Sequence, residues 1–176
     1  MRAAALLRGP VCSGVGGRPF NGIVSWPNVE TTITPDSVKG IMVTLDVDDR
    51  RVLFIVLTDD GLVNRQGTGT LGNLDNDLFI GLSDEPIFEQ LRAQIQPEWM
   101  QRLGAYGTRS KAGSTCTLSI LFKAEEGREG GIRFVYGSES EGPPGDIAQF
   151  VTEAVRLTDP WHEKQRQTRL KASVGR

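Results

Sequence analysis

Apolar and polar residues alternate in some stretches of this chain and recur at helical spacing in others. In "IMVTLDV", Ile41, Val43, Leu45 and Val47 point one way and Met42, Thr44 and Asp46 the other, the pattern of a strand with one face on a core. After the polar turn "DDRR", the run "VLFIVLT" (Val52 to Thr58) is apolar on both faces and predicts a central strand covered on both sides. The two form a hairpin. Asp60-Gly61 then turns the chain into a third strand, Leu62 to Gln66, because this dipeptide suits a positive φ. Further on, "TCTLSILFK" sets Cys116, Leu118, Ile120 and Phe122 against Thr117 and Ser119, and "AEEGREGG" returns it to "IRFVYG" as a second hairpin. "FNGIVSW" (Phe20 to Trp26) reads as a short edge strand.

Helical spacing appears twice. Beyond the short apolar run "DLFIGLS", Ile87, Phe88, Leu91 and Ile95 recur at helical intervals, with Ser83 or Asp84 as cap and Pro86 in the first turn. Pro97 ends this helix or restarts it, with Trp99, Met100 and Leu103 on one face and Gly104 as a C-terminal cap, before a polar loop over 104–114. In the second helix Asp146 caps, Gln149 completes a capping box, and Ile147, Phe150, Val151, Ala154 and Val155 form the apolar face. Asp159-Pro160 is expected to end it. The order β-β-β-α-β-β-α predicts an α+β fold, an antiparallel sheet of two hairpins with two helices packed on it.

Length and charge divide the chain. Its 176 residues suit one domain, placed at 20–160. The glycine- and arginine-rich stretch 1–19 reads as a disordered leader, with a transit-type segment as the other reading. Residues 161–176 form a basic tail: Lys164, Arg166, Arg169, Lys171 and Arg176 face Glu163 alone. Residues 30–160 hold 12 bases and 21 acids, a net −9. An acidic body argues against a nucleic-acid partner, which needs a broad positive face. No stretch approaches the ~20 apolar residues of a membrane span. Cys12 and Cys116 build neither a disulfide framework nor a zinc site, so the cytoplasm is the expected compartment, and no metal or cofactor is expected.

Four motifs bear on chemistry. "GTGTLG" (Gly67 to Gly72) has the spacing of a dinucleotide fingerprint, but that fingerprint needs a helix opening inside it, and "NLDNDL" follows instead. Asn73, Asp75 and Asp77 open like a calcium loop whose sixth and twelfth places are then held by Leu78 and Asp84, the wrong residues. Asp46, Asp48, Asp49, Asp59 and Asp60 read as a solvated rim, or else as aspartates gathered at adjacent hairpin ends. The lone histidine, His162, lies in the tail away from any nucleophile motif, so no catalytic constellation is recognised. Trp161 is expected to fold back on the core.

The stretch singled out for binding is "VNRQG". Asn64, Arg65 and Gln66 bring planar hydrogen-bonding groups to a strand end beside a glycine loop, with Asp77 across it. The plainer reading pairs Arg65 with Asp59, Asp60, Asp75 or Asp77. By elimination the expected function is a non-enzymatic protein-interaction or self-association module, its partner a protein or itself. The alternative is a small-ligand or metal-ion binding protein or enzyme with its site in the 59–84 region, walled by Asn64, Arg65 and Asp77 and holding a perturbed carboxylate.

Overall fold

The computed structural model describes residues 33–70, 77–108 and 112–174. The expected strand at Phe20 to Trp26 and the leader lie outside them. After a 3-10 turn at Pro35–Ser37 come strands β1 (Val38–Val47), β2 (Arg50–Thr58), β3 (Leu62–Gln66) and β4 (Phe79–Leu82). Helices α1 (Ile87–Arg92) and α2 (Pro97–Met100) follow, then β5 (Gly104–Gly107), β6 (Thr115–Ala124), β7 (Glu129–Gly137) and α3 (Gly145–Val174). The strands form one seven-stranded sheet in the order β4-β3-β2-β1-β6-β7-β5. Neighbours are antiparallel except β5, which runs parallel to β7.

The α+β class stands, but among the described residues the sheet is mixed and has seven strands, and there are three helices rather than two. The parallel strand β5 falls in the stretch read as a polar loop. "GAYG" offers only one large side chain to a pattern, so no alternation announces it. Its pairing comes from β7, where Tyr106 stacks on Phe134 at 5.3 Å between ring centroids.

All three helices contribute to one face of the sheet. Helix α1 touches β1, β2 and α3, while α3 reaches β3. Toward them point Ile41, Val43 and Leu45 of β1, Leu53, Ile55 and Leu57 of β2, and Leu118, Ile120 and Phe122 of β6, all buried. Trp99 of α2 packs edge-on against Phe150 of α3 at 5.2 Å and donates its indole N–H to Asp146 at 2.8 Å. Asp146 thus sits within the first turn of α3 as the acceptor for α2. The other face of the sheet carries Phe54 and Val56 half-buried, so among the described residues β2 is covered by helices on one side only.

Two helix boundaries differ from expectation. Pro86 precedes α1 as its cap, and the Ser83 hydroxyl instead accepts from the Glu85 amide at 3.1 Å. More consequentially, α3 runs unbroken through Pro160 to residue 174. An interior proline costs about 3 kcal/mol in local terms. Tertiary contacts on both sides of it offset that cost: Asp159 pairs with Arg65 of β3, and Trp161 returns to the sheet and donates to the Leu82 carbonyl at 3.0 Å.

Candidate functional site

Strand alternation separates the residues of "VNRQG". Arg65 points to the helix side, where it is fully buried, and its guanidinium donates to Asp159 at 3.1 Å. An acidic partner therefore lies 94 residues away on α3, and of the nearby aspartates named from the sequence Asp75 lies outside the described residues. Asn64 and Gln66 face the other way, opposite Ile80 and Phe54 in register. The Asn64 side-chain oxygen is buried there without a hydrogen-bond partner. Asp77 is exposed at the lead-in to β4. The structure does not bring these four to one wall.

The glycines of "GTGT" serve packing. Gly67 has φ 74°, and a Cβ there would lie 2.2 Å from the Val52 carbonyl oxygen, so the loop is pressed against β2. Gly72, Asn73 and Asp75 lie outside the described residues. The gathering of aspartates, the other reading beside a solvated rim, does not occur: Asp46, Asp48 and Asp49 sit at one end of β2 and Asp59 and Asp60 at the other, separated by the length of that strand. Among the described residues, no three His, Cys, Asp or Glu side chains converge to hold a metal ion.

Two clefts open near the β4 edge. The larger, about 310 Å³, lies between the β2–β3 turn and the β4–α1 connection and presents five carboxylates: Asp59, Asp60, Asp84, Glu85 and Glu89. The Thr58 hydroxyl and then the Leu62 amide hydrogen-bond to Asp60 and hold its carboxyl below the usual range. Asp59 pairs with Lys39 at 3.2 Å.

The second cleft, about 190 Å³, lies between β4 and the last turns of α3, and Asp77, Phe79, Arg166, Arg169, Leu170 and Ser173 line it. On α3 these residues continue the spacing of His162, at i+4, i+7, i+8 and i+11, so one helix face carries them all. On β4, Phe79 and Gly81 look toward that helix. A Cβ at Gly81 would come within 3.2 Å of the Trp161 ring, and glycine there lets α3 cross the edge strand closely. His162 is buried with its ring edge-on to Phe79 at 5.4 Å. The Arg169 guanidinium lies over the same Phe79 ring, 5.8 Å from its centre, and bonds Asp77 at 3.0 Å. Arg166 pairs with Glu163 at 3.2 Å. Both pairs stand largely in water, where such pairs are worth at most about 1 kcal/mol. The Arg169 guanidinium can therefore exchange the Asp77 carboxylate for another anion at little cost.

Arg166, Arg169 and Phe79 were not singled out from the sequence. The signal was the spacing from His162 onward, and it was hidden by the reading of Pro160 as a stop. Asp77 alone of the expected site residues lines this cleft.

No family model matches the chain, and no solved structure matches it. Its curated relatives include an ATP phosphoribosyltransferase from Ectopseudomonas mendocina (strain ymp), 25% identical over 133 residues, which cover 72% of this chain and 63% of that protein. The ATP phosphoribosyltransferase of Pseudomonas fluorescens Pf-5 is 25% identical over 130 residues, 70% of this chain and 62% of that protein. The protein of the same name from Pseudomonas putida F1 aligns with the same identity and coverage. The chain spans less than two thirds of the length of these relatives. Similarity to proteins named ATP phosphoribosyltransferase overturns the expectation of a non-enzymatic protein-interaction or self-association module, which rested on elimination.

Proposed function

We propose that this chain is a domain that binds a small phosphate-bearing ligand, in a protein related to the ATP phosphoribosyltransferases, and that the cleft between β4 and the end of α3 holds the phosphate. The observation that carries this reading is the pair Arg166 and Arg169 lining one cleft with Phe79. Guanidinium forks match phosphate oxygens bidentately, and an aromatic face keeps a guanidinium plane in place. The relatives' name speaks of ATP and of a phosphoribosyl group, both phosphate carriers. The larger cleft, with its five carboxylates, repels such a ligand. Size narrows the ligand further: 190 Å³ falls short of the roughly 300–1,000 Å³ that enclose drug-sized molecules, so the cleft suits a sugar phosphate, or that part of a larger ligand. The negative pole of α3 lies at its last turn, which favours an anion seated by Arg166 and Arg169 over one at Ser173.

Arg65 takes part at one remove in this reading, by tying α3 to β3. The cytoplasm, and a protein partner or second copy at the exposed Ile80 and Leu82 edge, belong to the same proposal as attributes of a ligand-binding domain.

The test is a thermal melt of the protein with ribose 5-phosphate, ATP and inorganic phosphate. A ligand at 100 times its Kd adds about 2.7 kcal/mol, roughly 5–10 °C for a domain of this size. The shift should vanish in the Arg166→Ala/Arg169→Ala variant, whose melting without ligand stays close to that of the parent. No shift with any ligand, or a shift that survives the double substitution, would overturn the assignment.

A further inference from the structure

Resting on that reading, we infer that Asp77 is an internal competitor for the ligand: its carboxylate occupies the place on Arg169 that the phosphate takes, and so sets how tightly the cleft binds. The two arginines are held differently. Glu163, the partner of Arg166, belongs to the same helix and also accepts from Gln167 at 3.1 Å, so it travels with its arginine. Asp77 reaches Arg169 from another element, across the cleft mouth. The contact is a latch between strand and helix, made by an anionic oxygen on a guanidinium, as a ligand phosphate would make it.

Three features make the exchange feasible. The Asp77 and Arg169 side chains are 50% and 60% exposed, so neither needs desolvated charge to be uncovered when they part. Phe79 stays under the Arg169 guanidinium whichever anion is bound, which keeps the fork aimed while its partner changes. A phosphate dianion also brings two negative charges to the arginine pair, whereas the Asp77 carboxylate brings one. Asp77 therefore acts as a threshold that a dianion passes and a single carboxylate does not.

A competitor and a positioning residue give opposite signs on removal, and this makes the inference testable. Calorimetric titration with ribose 5-phosphate would compare the parent, Asp77→Asn and Arg169→Ala. Asparagine keeps the size of the side chain and abolishes its charge. Losing an exposed pair worth up to about 1 kcal/mol should tighten binding by up to roughly fivefold. Arg169→Ala should weaken it in the same titration. Titration with inorganic phosphate should show the same gain in Asp77→Asn, since the competition concerns the phosphate alone. Unchanged or weaker binding in Asp77→Asn, with Arg169→Ala still impaired, would overturn the competitor role and leave the proposed function standing. Failure of the parent to bind either probe would overturn both.

Discussion

The two halves of α3 are one continuous helix with opposite sources of stability. From Ile147 to His162, the side chains of Phe150, Val151, Ala154, Val155, Leu157, Thr158 and Trp161 are buried against the sheet and α1. From Glu163 onward nearly every residue faces solvent, and the turns are laced by Glu163 with Arg166 and Gln167. A helix this short is marginal alone, so the second half persists because the first is clamped. The clamp leaves its exposed side chains available for chemistry, which explains why the candidate anion cleft lies there and not over the core.

Breaking the docked half should have the largest effect. Phe150→Ala removes a buried ring that packs on Trp99 and should cost about 3–5 kcal/mol, measured by chemical denaturation. Helicity of the second half should fall in the same transition, without a separate one.

The clamp at Pro160 sharpens the contrast. Arg65 is 1% exposed and Asp159 56% exposed, so the two partners are not equivalent. Asp159→Ala withdraws a counter-charge from a buried guanidinium and should cost about 3 kcal/mol. Arg65→Met places an apolar chain in the same volume, leaves Asp159 in water, and should cost less than half as much. Equal losses in the two variants would contradict the burial asymmetry.

On the solvated half, Arg166→Ala and Arg169→Ala should each change stability by no more than about 0.5 kcal/mol while lowering ligand affinity. A loss of several kcal/mol would mean that this half is not a free-standing extension.

The smallest effect concerns a surface pair on the docked half. Hydrogen bonds from Arg156 hold the Glu153 carboxyl below its ordinary range. A carboxyl lowered in the folded state stabilises above its unfolded pKa and loses that contribution as pH falls through the folded value. Glu153→Gln should therefore be slightly less stable than the parent at pH 7, by a few tenths of a kcal/mol, and the gap should close as pH drops below about 4.5.

The sequence showed well where a side-chain period had a large face behind it. Strand β3 was read at its observed bounds, the alternation in β1 and β6 named the buried residues, and the spacing from Ile147 to Val155 named the face of α3. Strand β5 was missed because pairing with β7, not composition, makes it a strand. The candidate cleft was half visible. Asp77 stood out as a charge beside a loop, whereas Arg166 and Arg169 were set aside as tail, since local rules end a helix before Pro160.

What the sequence determined by itself is the set of periodic elements, because burial of one face writes its period into the order of residues. What only the tertiary structure decided is which charges meet. Arg65 found Asp159, 94 residues on, and Asp77 found Arg169 across the edge of the sheet. An ion pair depends on distance in space, and no short-range pattern encodes how a helix held through Pro160 brings its last turns over β4.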